Sequence, residues 1–227
     1  MKTTFDVTSG KMVCSDPCYE IPTWCQGVIE NVKNGKWEAG IETSDEGDWG
    51  ERIAYLWVYN VEAVINNPSI KNQIQAFGGH TLPFSFGVDS GQFGFFDFEH
   101  YRNDESAKDL KKYNFGNDFN SPKESGEEWY RACCKITLGD ESWGVLPNGV
   151  VSSSGFGDGS YEVRGIKDEN GEYVAFCVEY IGQDVDEDDD WDEKPKKGSA
   201  KSKKNDDDID DDDDDVEIKD DWESVEE

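Results

Sequence analysis

Two stretches of alternating apolar and polar residues place the firmest constraint on the fold. They cover residues 161–166 and 172–181, and residues 168–171 (Asp-Glu-Asn-Gly) separate them. Alternation with a period of two predicts strands, and a short link with glycine predicts that the two strands form a hairpin. Because two paired strands are not stable alone in water, other parts of the chain must complete the sheet.

The rest of the first 183 residues supplies further strands and a few helices. We expect strands over residues 3–15 (a short hairpin around Ser9-Gly10), 36–41, 52–60, 81–88 and 92–98 (a hairpin around residues 89–91), and 143–151. A helix of about 11 residues is predicted to begin at Pro22, because proline is tolerated in the first helical turn. A second helix is predicted over residues 104–113. Residues 61–77 and 127–138 fit neither period clearly.

These elements predict the fold class. About eight strands with two or three dispersed helices do not fit repeated βαβ units. We therefore predict an α+β domain with a mainly antiparallel β-sheet or curved sandwich, and with the helices on one face. We detect no internal repeat in it.

Acidic residues outnumber basic residues throughout the chain. Residues 184–227 contain 23 acidic and 7 basic residues and few apolar ones, so they cannot bury enough surface to offset the entropy of ordering. We predict a disordered acidic tail over 184–227 and a folded domain over 1–183. The domain itself has 29 acidic and 15 basic residues. Such a surface repels phosphate and anionic lipid, which disfavours nucleic-acid and membrane binding and favours a basic protein partner.

The sequence also predicts a soluble, cytoplasmic protein. No secretory apolar segment follows Met1-Lys2, and no segment approaches the roughly 20 apolar residues of a membrane span. The six cysteines follow no recognised zinc or disulfide spacing. We therefore expect reduced thiols and no metal centre.

A glycine-rich loop and three aspartates form the first candidate site. Residues 152–159 resemble phosphate-binding loops in composition, but the lysine of a P-loop is absent and a strand follows. Asp89, Asp97 and Asp158 each lie beside a loop, and their carboxylates together would bind Ca²⁺ or Mg²⁺ weakly. The alternative is that these residues only stabilise turns. The candidate ligand-binding residues are Asp89, Ser90, Gly91, Asp97, Ser154, Gly155, Asp158 and Gly159.

A nucleophile is the second candidate site, and it would make the protein a hydrolase or a thiol-dependent enzyme. Cys18 and Ser154 are the candidates, but each needs a base within hydrogen-bond distance. Nothing in the sequence brings His80 or His100 to either residue. For the cysteines, burial as small apolar side chains is the alternative. We assign no catalytic residue.

Two tryptophans in the acidic tail form the third candidate site. Trp191 and Trp222 each lie among aspartates and glutamates. An aromatic ring amid acidic residues is suited to a basic groove, because the charge steers the encounter and the ring supplies the contact. The alternative is a tail that only keeps the protein soluble.

Three motifs give the chain a resemblance to a known family. Residues 88–97 (Val-Asp-Ser-Gly-Gln-Phe-Gly-Phe-Phe-Asp), residues 154–161 (Ser-Gly-Phe-Gly-Asp-Gly-Ser-Tyr) and the strand over 173–180 resemble the bacterial and phage family catalogued as domain of unknown function 4241. Residues 15–19 (Ser-Asp-Pro-Cys-Tyr) and Trp24-Cys25 resemble its phage-type branch. The resemblance covers residues 1–183. It implies one compact β-rich domain of microbial or viral source and identifies no catalytic residue.

Charge and tail together favour a non-enzymatic interaction protein. We expect it to bind a basic protein surface, where it would act as a mimic of nucleic acid. Two alternatives stay open: a small-ligand or divalent-cation module built from the Asp/Gly-rich loops, and an uncharacterised hydrolase.

Overall fold

The computed structural model of the protein describes residues 2–106 and 126–182, which contain two antiparallel β-sheets packed as a sandwich. The strands in chain order are β1 (Thr4–Val7), β2 (Lys11–Ser15), β3 (Gly27–Glu30), β4 (Gly35–Asp45), β5 (Glu51–Asn60), β6 (His80–Thr81), β7 (Phe86–Val88), β8 (Gln92–Asp97), β9 (Trp143–Leu146), β10 (Gly149–Ser153), β11 (Gly159–Lys167) and β12 (Tyr173–Glu179). The large sheet has the order β1-β4-β5-β12-β11-β6, and β7 also pairs with β11. The small sheet has the order β3-β2-β8-β10-β9. The predicted α+β, sandwich-like fold is confirmed.

Side chains from the facing sides of both sheets form the main core. Trp37 of β4 stacks on Phe176 of β12 with ring centroids 5.9 Å apart, and Phe176 stacks on Phe95 of β8 at 5.9 Å. Because Phe95 belongs to the small sheet, this column of rings joins the two layers. Each such aromatic pair contributes about 0.5–1.5 kcal/mol beyond the area that it buries.

Helices cover the outer faces of both sheets. Along β5, Leu56 and Val58 face the core between the sheets, whereas Trp57 and Tyr59 face outward, as the period of two requires. The short helices α1 (Val61–Asn66) and α2 (Ser69–Gln75) pack on this outward side. Helix α3 (Glu127–Thr137) packs on the outer face of the small sheet. The prediction of helices on one face is therefore wrong, because each sheet has an apolar outer side to cover.

The hairpins predicted over residues 3–15 and 81–98 do not form. In each case the two strands belong to different sheets. Strand β1 pairs with β4 in the large sheet, while β2 pairs with β3 and β8 in the small sheet. Strand β7 likewise pairs with β11, and β8 pairs with β2 and β10. Residues 8–10 and 89–91 are thus crossings from one sheet to the other. Alternation identifies a strand and its buried face, but it does not identify the partner strand.

One of the two predicted helices is wrong, the other lies mostly outside the described residues, and the two undecided segments contain helices. Residues 22–26 form a loop that leads into β3, and Trp24 is 83% exposed, so the helix predicted from Pro22 is wrong. Pro68 separates α1 from α2 within residues 61–77, and α3 settles residues 127–138 as helical. Most of the helix predicted over 104–113 lies outside the described residues. None of the helices in the described part of the chain is long and apolar enough to cross a membrane.

Candidate functional site

The loop end of the sandwich brings together residues 45–51, 89–91 and 154–158. The Gly91 N–H donates to Asp158 Oδ1 at 3.1 Å, and the Ser154 N–H donates to the Gly91 carbonyl at 3.1 Å. Strands β7 and β11 pair beside them, with Val88 opposite Gly159. The two predicted ligand loops therefore meet. The hydrogen bonds between them draw the loops together and use one oxygen of the Asp158 carboxylate.

The glycine-rich loop is bonded within itself. Ser154 Oγ donates to the Gly157 carbonyl at 2.9 Å, and the Tyr161 hydroxyl lies 3.0 Å from the Ser154 carbonyl. Ser154 is 1% exposed, and Gly155 has a φ of +57° that favours glycine. These contacts hold the loop in shape. They place no base on the Ser154 hydroxyl.

Asp16 organises the other side of the loop end, and the sequence analysis assigned it no role. Its buried carboxylate accepts the N–H groups of Asp89 (2.9 Å) and Ser90 (2.7 Å) on Oδ2. Its Oδ1 accepts the Ser90 hydroxyl at 2.6 Å and the Cys18 N–H at 2.9 Å. Asp16 therefore fixes the crossing at 89–91 from a position 73 residues earlier in the chain. No local pattern signals such a contact.

Asp97 lies at the opposite end of the sandwich, away from Asp89 and Asp158. The length of β8, about 17 Å, separates the two ends. The buried carboxylate of Asp97 accepts the N–H groups of Thr8 and Ser9, each at 2.9 Å, and it lies 2.6 Å from His100 Nδ1. Burial alone would raise the pKa of Asp97, but the hydrogen bonds from His100, Ser9 and Thr8 outweigh burial and lower this pKa. The three aspartates predicted to converge are not brought together.

The thiol of Cys18 has no imidazole beside it. Burial, followed by the charge of Asp16, raises the pKa of Cys18 to about 12, which disfavours the thiolate. His80 Nε2 lies 3.1 Å from the Tyr173 hydroxyl, and His100 lies on Asp97. All six cysteines are unpaired thiols. Within residues 2–106 and 126–182, no group of three or more histidines, cysteines or acids could hold a metal ion.

Exposed aromatic rings and carboxylates form a second feature of the loop end. Trp49, in the β4–β5 turn, is 70% exposed, and Phe156, in the glycine-rich loop, is 58% exposed. Arg52 lies between the two segments: its Nε donates to the Trp49 carbonyl at 3.1 Å, and its guanidinium lies 5.9 Å from the Phe156 ring centroid. We call this region, with its neighbouring carboxylates, the aromatic-acidic surface; its acids are Asp45, Glu46, Asp48, Glu51 and Asp158.

A depression of about 250 Å³ adjoins the aromatic-acidic surface. Glu51 and Arg52 line one side, Asp140 and Glu141 line another, and Gly155 connects it to the loop that carries Phe156. The depression thus presents three carboxylates and one guanidinium to solvent. The sequence analysis assigned no role to residues 44–50. The available signal was one tryptophan within a run of acids and glycines, the same signal that drew attention to the tail.

The predicted anchors Trp191 and Trp222 lie outside the described residues, as does the whole acidic tail. The ligand-binding assignment of residues 89–91, 97, 154–155 and 158–159 stays a prediction.

Comparison with known proteins gives one match, which is to a protein family. No curated protein and no solved structure matches the chain. A family model described as protein of unknown function (DUF4241) matches residues 5–178, which include every strand from β2 to β11 and nearly all of β1 and β12. That match spans most of the chain and agrees with the resemblance of its glycine-aspartate motifs. The chain belongs to the DUF4241 family of proteins of unknown function.

Proposed function

We propose that the protein is a non-enzymatic interaction protein that binds a basic protein surface through its loop end. The observation that carries the proposal is the aromatic-acidic surface, where Trp49 and Phe156 are exposed on adjacent loops among carboxylates. Aromatic residues, including tryptophan and phenylalanine, are enriched in protein interfaces, where a few anchors carry most of the binding energy, and acids around them steer a basic partner.

The contacts of Arg52 support the chemistry of the partner. A guanidinium already lies over the Phe156 ring and bonds the Trp49 carbonyl. A cation placed over an aromatic ring gains about 0.5–2 kcal/mol, depending on how far it is desolvated. The depression next to it, with Glu51, Asp140 and Glu141, offers three carboxylates to a lysine or arginine side chain of a partner. Arg52 thus occupies a position of the kind that we assign to a partner's cation.

The rest of the chain fits the same proposal. The domain has 29 acidic against 15 basic residues, and the tail has 23 against 7, so a basic partner is attracted over the whole approach. Trp191 and Trp222 would add two further anchors on the tail. With this excess of negative charge the protein would occupy a nucleic-acid site on its partner without binding nucleic acid itself. We place it in the cytoplasm of a bacterium or of a phage-infected host, in the phage-type branch of the family.

The test measures binding of a fluorescently labelled lysine- and arginine-rich peptide to the full chain by anisotropy. We expect the double substitution Trp49→Ala and Phe156→Ala to weaken binding at least tenfold, which is about 1.4 kcal/mol. The substitution Trp24→Ala is the matched control, because Trp24 is 83% exposed on a different loop. Binding should weaken as salt screens the charges, and labelled duplex DNA should not bind.

Each part of the proposal has its own contrary result. Affinity that does not change with salt would contradict the charge argument. Affinity that depends on salt but is equal in the double variant and in the Trp24→Ala control would remove the aromatic-acidic surface from the proposal. The contribution of the tail is measured with a chain that ends at residue 183. Unchanged affinity of this shortened chain would contradict the roles given to Trp191 and Trp222.

A further inference from the structure

A second concave region lies at the opposite end of the sandwich. It is a groove of about 520 Å³ between α1, α2 and the β11–β12 turn. Ala63, Ile70 and Ile166 line it, and all three are buried apolar residues. Sites for small molecules commonly have volumes of about 300–1,000 Å³ and combine apolar walls with a few polar groups. The groove has a volume within this range, and its lining is mainly polar, with these three residues as its apolar part.

Side-chain amides form much of the polar lining. Asn66 and Gln73 come from the two helices, and Asn170 comes from the β11–β12 turn, so the amides stand on both sides of the groove. Gln73 Nε2 donates to Ser69 Oγ at 3.2 Å, which leaves its carbonyl oxygen for another donor. An amide offers a donor and an acceptor together. Hydroxyl groups, which also donate and accept, are well matched to such a lining.

Two lysines flank Tyr173 at one side of the groove. Lys33 lies 3.6 Å from a Glu172 carboxylate oxygen, longer than a direct hydrogen bond, and its backbone N–H donates to the Tyr173 carbonyl. The Lys167 ammonium lies 4.5 Å from the Tyr173 ring centroid. Among residues 2–106 and 126–182, no carboxylate forms an ion pair with Lys167. Lys33 and Lys167 are the cationic residues of the groove lining, and their ammonium groups would attract an anion there.

The acids of the groove do not cancel this attraction fully. Asp168 also lines it, but its Oδ1 accepts the N–H groups of Asn170 at 2.9 Å and Glu172 at 3.0 Å. These N–H groups stabilise the Asp168 carboxylate within the turn, and its negative charge stays at the groove. Glu169 is exposed, as Lys167 is, so solvent screens both charges.

We propose that this groove binds a small hydroxylated anion, of the class of a phosphorylated or carboxylated sugar. The anionic group lies between Lys33 and Lys167, the hydroxyl groups bond to the amides of Asn66, Gln73 and Asn170, and one face of the ring rests on the buried apolar residues. The groove lies away from the loop end, so this site is independent of the binding of a basic partner.

Calorimetric titration of the full chain tests the site with four probes: glucose 6-phosphate, glucuronate, glucose and inorganic phosphate. We expect at least one of the two sugar anions to bind, and glucose and inorganic phosphate each to bind at least tenfold more weakly than that anion. Lys33→Gln and Lys167→Gln should each weaken binding of the sugar anion at least fivefold. Lys36→Gln is the matched control, because its ammonium pairs with Asp6 outside the groove. A thermal melt of each variant checks that the fold is retained.

The contrary results differ in what they remove. No heat from either sugar anion at millimolar concentration overturns the site. Equal affinity in Lys33→Gln, Lys167→Gln and Lys36→Gln overturns the placement in the groove. Inorganic phosphate bound as tightly as glucose 6-phosphate overturns the role given to the amides.

Discussion

Two segments of the chain, 5–16 and 86–97, build the same unit at opposite ends of the sandwich. The first reads Phe-Asp-Val-Thr-Ser-Gly-Lys-Met-Val-Cys-Ser-Asp, and the second reads Phe-Gly-Val-Asp-Ser-Gly-Gln-Phe-Gly-Phe-Phe-Asp, with five of the twelve positions identical. Each begins in a strand of the large sheet, crosses to the small sheet and ends in a buried aspartate. The domain thus contains an internal repeat that the sequence analysis did not detect.

The two units hold each other through their aspartates. Strands β2 and β8 pair antiparallel, with Met12 opposite Asp97, so the end of each unit lies beside the crossing of the other. Asp97 accepts two N–H groups and a hydroxyl from the crossing at 8–10, at 2.9, 2.9 and 2.7 Å. Asp16 accepts the equivalent three donors from the crossing at 89–91, at 2.9, 2.7 and 2.6 Å. At both crossings, these three hydrogen bonds hold the backbone where it passes from one sheet to the other.

The remaining donors differ, and the difference shows how each end is specialised. The second oxygen of Asp97 faces the His100 ring nitrogen and, at 3.3 Å, the Thr8 hydroxyl. Both of these groups can also act as acceptors. Asp16 instead receives the Cys18 N–H, so each of its oxygens faces at least one backbone N–H, which only donates. Asp16 therefore depends on having two acceptor oxygens, whereas Asp97 does not.

Removing either carboxylate should have the largest effect on stability. We expect Asp16→Ala and Asp97→Ala each to lower the free energy of unfolding by about 3–5 kcal/mol, because several buried or half-buried donors lose their acceptor. Urea unfolding at pH 7 measures the loss. Asp48→Ala, at an exposed aspartate, should change it by less than about 0.5 kcal/mol. A loss below about 1 kcal/mol at one aspartate would show that the two units are not equivalent.

Substitution by asparagine should lower the free energy of unfolding by different amounts at the two aspartates. At position 97 the amide nitrogen can point to His100 and Thr8 as acceptors, so we expect a loss of about 1 kcal/mol. At position 16 either orientation of the amide sets its NH₂ group against a backbone N–H, so we expect about 2–3 kcal/mol for Asp16→Asn. The same urea titration makes the measurement. Equal losses, or a larger loss at position 97, would refute this account of the difference.

The sequence predicted elements better than it predicted partners. Strands β4, β5, β11 and β12 follow from alternation and from the turn at 168–171, because both signals are local. The pairing of β1 and β7 does not follow, since Ser9-Gly10 and Ser90-Gly91 look the same locally whether the chain turns back or crosses. Asp16 and Asp97 act on residues 73 to 89 positions away, and no periodicity encodes such contacts.

The candidate site shows the same limit. Residues 89–91 and 154–158 were selected from sequence for their glycine and aspartate content, and they do meet. The repeat explains much of that content by the needs of a crossing. Exposure was the property that the sequence did not predict: Trp24 and Trp49 are exposed, while Trp37 is fully buried. Residue type alone does not distinguish these environments.

Low pH should lower the free energy of unfolding through the protonation of Asp97. The pKa of Asp97 is lowered in the folded state, from about 3.9 in the unfolded chain, so its ionised form stabilises the fold above that pH. This contribution is lost as the pH falls through the lowered pKa. We expect the free energy of unfolding to fall more between pH 5 and pH 2 in the natural protein than in Asp97→Asn. Asp48→Asn should follow the natural protein, and parallel curves for all three proteins would contradict the assignment.

The smallest effect is expected at Asp158, where the repeat supplies the comparison. Gly10 has a φ of +69° and its N–H donates to Asn34 Oδ1 at 2.7 Å; Gly91 has a φ of +66° and its N–H donates to Asp158 Oδ1 at 3.1 Å. An asparagine thus does at one crossing what Asp158 does at the other. Asp158→Asn should therefore keep the free energy of unfolding within about 0.5 kcal/mol in urea unfolding at pH 7.

The matched control for Asp158 removes the acceptor itself. Asp158→Ala leaves the Gly91 N–H to water at an exposed site, so we expect a loss of about 0.5–1 kcal/mol. If instead Asp158→Asn were the costlier substitution, the charge of Asp158 rather than its acceptor oxygen would matter. The loop at 154–158 would then have a role that its counterpart at Asn34 does not share, and a cation or ligand held there would be the first to test.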